Sequence, residues 1–163
     1  MLRLATEDDF PRIVSIYNAT VPTRRSTADT EPVALSDKWD WFRRHTPSHR
    51  PILVHETGGL IAAWLSFEPF HERPAYGHTA EISIYVAAFH QGRGLGGRLL
   101  DEALRMAPGL GIKTLVALVF SHNASSLRLF LSRHFEEWGR LPDVAEMDGR
   151  DYSLSILGKR VAR

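Results

Sequence analysis

The segment Gln91-Gly92-Arg93-Gly94-Leu95-Gly96-Gly97 restricts what this chain can fold into more than any other stretch. Before it, Ala80 to Val86 alternates like a strand: Ala80, Ile82, Ile84 and Val86 on one face, Glu81, Ser83 and Tyr85 on the other. After it, Leu95, Leu99, Leu100, Ala103 and Leu104 share one face of a helix that Pro108-Gly109 stops. Glycines between a strand and a helix let backbone N–H groups approach a ligand with no side chain in the way. The helix start adds free N–H donors at the positive end of its dipole, so the turn is suited to phosphate oxygens, with Arg93 and Arg98 adding charge.

Spacing alone leaves several readings open. Gly92, Gly94 and Gly97 satisfy GxGxxG, but a dinucleotide fold also wants an acid roughly 20 positions on, where Thr114 to Phe120 has none. The loop also lies past mid-chain rather than after a first strand. No GxxxxGK[ST] is present, so a Walker loop fails. A tight strand-to-helix turn without a ligand is the plain alternative.

Elsewhere, Thr6 before Glu7-Asp8-Asp9 reads as a helix cap with acids in the first turn, followed by Phe10, Ile13, Val14 and Tyr17 on one face. Ser36 is expected to cap a second helix carrying Trp39 and Phe42. Thr57-Gly58-Gly59 marks a hairpin between Ile52–His55 and Leu60–Phe67. Lys113 to Phe120 reads as a buried strand, and Asn123 as the cap of a last helix holding Leu127, Phe130 and Leu131. Strands around Phe135–Arg140 and Tyr152–Leu157 flank a turn at Asp148-Gly149. Together these predict one α/β domain over residues 1–163, a central mixed β-sheet flanked by helices.

Twenty basic against nineteen acidic residues leave a net charge of +1, which advertises neither nucleic acid nor an anionic membrane as partner. The absence of cysteine removes disulfides, thiolate zinc sites and a cysteine nucleophile together. The N-terminus turns acidic at once, so no signal peptide or anchor is expected, and a cytoplasmic location fits. The eight histidines are scattered; His45 and His49 are separated by Pro47, which breaks the helix a metal pair at that spacing would need. No metal site is expected.

Several segments together resemble the GNAT superfamily of N-acetyltransferases, and within it the phosphinothricin and methionine sulfoximine group. They are Ile16-Tyr17-Asn18, Thr30-Glu31-Pro32, the run Phe70 to Tyr76, then Thr79-Ala80-Glu81, Tyr85-Val86, Gln91-x-x-Gly94-x-Gly96 and Asn123-Ala124-Ser125-Ser126. The block Arg73-Pro74-Ala75-Tyr76 with Thr79-Ala80-Glu81 is the most specific part. The resemblance implies the GNAT fold, acetyl-CoA as cosubstrate, a small-molecule amine as acceptor and a homodimer. It also implies roles. Tyr85 and Val86 hold the pantetheine arm, and Gln91, Gly92, Arg93, Gly94, Leu95 and Gly96 bind the pyrophosphate. Asn123, with Ser126 in the same tract, contacts the cofactor from the other side. Glu81 is the base, Arg73 and Tyr76 lie near the acceptor, Ser83 shares the strand face of Glu81, and Thr27 lines the pocket opposite. Phe130 departs from the pattern, standing where many members carry a tyrosine or histidine near the thioester sulfur; phenylalanine cannot donate a proton. His134 replaces the usual glycine before Phe135.

Residue chemistry sets plain alternatives beside these roles. Glu81 is placed to take a proton from an amine, directly or through water, with burial raising its pKa; a carboxylate exposed on an edge strand, or paired with an arginine, is the other reading. Arg73 suits a carboxylate or phosphinate bidentately, or is an ordinary surface arginine. Function is left between an amino-acid-analogue acetyltransferase, an acetyltransferase for a protein N-terminus or another amine, and a CoA-binding module without turnover.

Overall fold

In a computed structural model that describes Met1–Arg163, the apolar patterns become seven strands and four α-helices. In chain order they are β1 (Leu2–Leu4), α1 (Phe10–Thr20), α2 (Leu35–Arg44), β2 (Ile52–Thr57), β3 (Leu60–Pro69), β4 (Thr79–Val86), α3 (Leu95–Met106), β5 (Thr114–Phe120), α4 (Ala124–Leu131), β6 (Glu136–Met147) and β7 (Arg150–Arg160). They make one sheet in the order β1-β2-β3-β4-β5-β7-β6. Every pair is antiparallel except β4 with β5, which need the crossover helix α3 between them. The mixed α/β architecture is the one expected.

The two faces of β4 divide the core. Ala80 and Ile82 are buried with Leu95, Leu99, Leu100, Ala103 and Phe130, under α3 and α4. On the opposite face, Phe10, Ile13 and Val14 of α1 and Phe42 of α2 pack with Trp64, and Tyr85 and Trp39 rest against them. Each face therefore has its own helical cover, which is why neither side of β4 reads as a solvated surface.

Some local expectations are corrected. The N-terminal strand β1 has no counterpart in the sequence reading; three residues are too few for periodicity to register. Helix α2 begins at Leu35 with Ala34 as its cap and no side-chain bond there, so Ser36 lies inside the first turn. Leu131 is 48% exposed, because the last turn of α4 rotates it off the face that buries Phe130. The closing hairpin is longer than predicted, while its turn does fall at Asp148 (φ 54°) and Gly149 (φ 72°). Near the N-terminus, Asp9 gathers several donors: Thr6 N–H at 2.8 Å and Arg3 Nη1 at 2.7 Å. No helix is long and apolar enough to cross a membrane.

Candidate active site

β4 and β5 pair only at Thr79↔Thr114, Ala80↔Leu115 and Glu81↔Val116. Beyond Glu81 the two strands part, and the gap opens a cleft of about 400 Å³ in the sheet. Its walls are Ile82 to Tyr85 on one side and Leu118 to Phe120 on the other, with Asn123 and Ser126 from the start of α4 and Phe130 from its last turn. Glu81 stands where the splay begins.

The backbone phase of β4 follows from one bond. Ala87 N–H donates to Ala62 O at 2.8 Å, so odd-numbered residues turn their peptide groups toward β3 and even-numbered ones turn away. Ile84 and Val86 thus direct N–H and C=O into the space that β5 has left. An N–H at the end of β4 is thereby available to an oxygen in the cleft.

At the mouth, Gly92 (φ 72°) and Gly94 (φ 77°) take the left-handed conformation, and a Cβ on either would meet nothing within 4 Å. Their need is conformational rather than steric, and it leaves open space over the turn. Gly97 differs: a side chain there would collide with the Arg133 guanidinium, which bonds Asp101 at 3.1 Å. The N–H groups of residues 92–97 make no hydrogen bond within the chain. A run of free donors at a helix start, with room in front of it, fits a pyrophosphate.

A loop from Arg24 to Asp29 crosses opposite. Tyr17 Oη lies 2.5 Å from Thr27 Oγ1 and donates to Asp29, while Asn123 Nδ2 donates to Arg25 O at 3.2 Å and Arg24 Nε to Asp148 at 2.9 Å. These bonds hold Thr27 on the cleft wall. Asn123 is buried and its Oδ1 accepts from Ser126 N–H at 3.3 Å, capping α4 as expected. Its side chain therefore builds the wall as well as facing the cleft.

On the α1–α2 face, β3 and β4 set three pairs side by side: Trp64↔Tyr85, Ser66↔Ser83 and Glu68↔Glu81. Cross-strand side chains sit roughly 4.5–5.5 Å apart at Cβ, close enough for the two carboxylates to feel each other. Burial pushes the Glu81 pKa up from the usual carboxylate range, and the charge of Glu68 adds to it. Glu68 is itself held: Trp41 Nε1 donates to its Oε1 at 2.6 Å, and His45 Nε2 lies 3.0 Å from the same oxygen. A half-enclosed carboxylate with no cationic partner is suited to accepting a proton.

The structure thus brings Glu81, Ser83, Tyr85, Thr27, Asn123 and Ser126 to one cleft, with Phe130 in its wall. Val86 and the glycine loop adjoin it in sequence. Arg73 and Tyr76 are not brought there. Both lie exposed in the turn between β3 and β4, where Arg73 caps the short Pro74–Tyr76 helix. Tyr76 packs on Phe70 (5.6 Å) and His71 (5.2 Å), so its ring is spent on the loop itself. Missed by sequence reading were Lys38, Trp41, Trp64 and Glu68, which line a second cavity of about 170 Å³ that shares Ser83 and Tyr85 with the cleft. Helical and strand phase marks Trp41 and Trp64 only as core, and nothing in the sequence singles out Lys38 or Glu68.

Comparison with known proteins agrees with this geometry. The model of the acetyltransferase (GNAT) family matches residues 13–135. YwnH of Bacillus subtilis (strain 168), a candidate phosphinothricin acetyltransferase by name, is 50% identical and covers 99% of both chains. An L-methionine sulfoximine/L-methionine sulfone acetyltransferase of Salmonella typhimurium is 30% identical over 96% of this chain and 91% of its own. Among solved structures, yncA of Salmonella typhimurium, solved with its cofactor acetyl-CoA, superposes with a TM-score of 0.95 at 29% identity, covering 100% of this chain and 94% of the other.

Proposed function

This chain belongs to the GNAT family of acetyltransferases, and on that premise we propose that it moves the acetyl group of acetyl-CoA to the amine of a small amino-acid analogue, with Glu81 as base. The acceptor class is that of phosphinothricin, methionine sulfoximine and methionine sulfone, as in the names of its relatives. The observation that carries the reading is Glu81 at the point where β4 and β5 part, half-buried and with its pKa raised. Acetyl-CoA supplies a thioester carbonyl; the chain supplies the surroundings.

An α-amine is mostly ammonium near neutral pH and attacks only as the free base. Glu81 takes the ammonium proton, directly or through one water, and its raised pKa brings it nearer that task. The amine lone pair forms the new C–N bond as the carbonyl electrons move onto oxygen. Val86 N–H, turned into the splay, donates to that oxyanion. Collapse restores the carbonyl and breaks the C–S bond. Phe130 is buried in the cleft wall and has no proton to give, so the thiolate leaves unprotonated or takes the proton of the nitrogen. With no cysteine in the chain, no acetyl-cysteine forms and transfer is direct. Residues 91–96 would hold the pyrophosphate, Tyr85 and Val86 the pantetheine arm, and Asn123 with Ser126 the opposite wall, while Ser83 and Thr27 face the acceptor.

Thiol release tests this reading, measured with phosphinothricin, methionine sulfoximine, methionine sulfone and a short alanyl peptide as acceptors. Release with the amino-acid analogues and little with the peptide is expected. Release with the peptide alone would transfer the assignment to protein N-termini. Acetyl-CoA binding without release on any amine would leave a CoA-binding module.

A further inference from the structure

The second cavity, between α1, α2 and the β3–β4 face, has a composition that the transfer chemistry above does not use. Its lining includes the aromatic residues Tyr17, Trp41, Trp64 and Tyr85 together with Ser66, Ser83 and Lys38. Lys38 Nζ lies 5.6 Å from the Tyr17 ring centre and 5.7 Å from that of Trp41. It forms no ion pair, although Lys38 is only partly exposed. Ser66 and Ser83 make no side-chain hydrogen bonds, and Ser66 is 1% exposed. The carboxylate that shares the cavity, Glu68, has one oxygen engaged by Trp41 and His45. A cation and two unused hydroxyls against aromatic walls are the groups that recognise a carboxylate. A second cation is disfavoured there, because Lys38 already occupies the ring faces of Tyr17 and Trp41.

Position relative to Glu81 gives this composition a role. Ser83 lies two residues along the same face of β4, roughly 6.6 Å at strand rise. That separation suits an α-amino acid whose nitrogen is turned to Glu81 and whose carboxylate is turned to Ser83 and beyond. We propose that Lys38, with Ser66 and Ser83, binds the α-carboxylate of the acceptor and makes the enzyme selective for amino acids over simple amines. The inference rests on the acetyl-transfer reading for its meaning, but the binding site itself is testable without turnover.

The test compares L-methionine sulfone with its α-carboxamide, which keeps the amine and side chain and removes the anion. Wild-type enzyme is set against Lys38→Met and Lys38→Arg, with Lys38→Gln as a second neutral variant that keeps a polar end. For both neutral variants kcat/KM on the acid should fall about 10- to 100-fold, nearly all in KM, since the ion pair is present in ground and transition states alike. The carboxamide and the KM for acetyl-CoA should change little, and Lys38→Arg should recover most of the loss. Calorimetric titration of the folded proteins gives the same contrast without chemistry: wild type binds the acid more tightly than the amide, and the neutral variants do not distinguish them. Equal losses on acid and amide, or unchanged affinity for the acid, would overturn the assignment. Absence of thiol release from wild type with both acceptors would instead count against the transfer reading, while the titration still judges Lys38.

Discussion

The two halves of the cleft are built from different material. On the proposed cofactor side the available groups belong to the backbone: the N–H groups of residues 92–97, the outward peptide of Val86, and glycines that contribute permissive φ. On the acceptor side they belong to side chains, assembled from α1, α2, β3 and β4: Lys38, Ser66, Glu68, Glu81 and Ser83 amid aromatic rings. A backbone site is set by a short local motif and recognises a group common to every reaction of the family. A side-chain site depends on register between distant segments, and a change at one position retunes it. The difference separates what such a chain shares with its relatives from what makes it selective.

Substitutions should respect this division. Glu81→Gln is expected to have the largest effect, a loss of roughly 10²–10⁴-fold in turnover with acetyl-CoA affinity retained, as single-turnover rates and calorimetry would show. Unchanged turnover would remove Glu81 as base. Gly94→Val comes next and strikes the other half. A branched residue resists the φ of 77°, so acetyl-CoA binding should weaken by about tenfold or more while the acceptor KM holds. Wild-type cofactor affinity in a folded variant would refute the loop assignment. Phe130→Tyr should leave turnover within about tenfold of wild type, because a thiolate departs without a dedicated acid. A far larger gain would mark the natural protein as an impaired catalyst. Smallest of all, Arg73→Ala should change kcat/KM by no more than about twofold, as expected of an exposed arginine. A loss confined to anionic acceptors would return Arg73 to the site.

That contrast also explains what could be read in advance. The strand Ala80–Val86, the glycine turn and helix α3 were legible because each is a local pattern of period 2, positive φ or period 3.6. Glu81 was legible from strand face plus motif. The pairing of Glu68 with Glu81 was not, since it depends on the register of the β3–β4 hairpin across a nine-residue connection, Phe70 to His78. Nothing in the sequence singles out Lys38; it is the seating of α2 over Tyr17 and Trp64 that brings it to the cavity. Arg73 and Tyr76 carry the most specific motif, yet sequence could not tell that the loop would fold on its own aromatic cluster.

As the proposed base, Glu81 must be ionised to act, and burial beside Glu68 holds its pKa above the usual carboxylate range. A raised pKa means the base form is lost at a higher pH than for an ordinary glutamate, so activity should fall on acidification sooner than usual. The decisive measurement is kcat/KM for the acceptor against pH in wild type, Glu81→Gln and Glu68→Gln. Wild type should show an acidic limb above the ordinary glutamate range. Glu68→Gln should move that limb to lower pH by removing the neighbouring charge, and Glu81→Gln should abolish it, leaving only the rise set by the amine itself. An acidic limb that stays in place in Glu81→Gln would contradict the account.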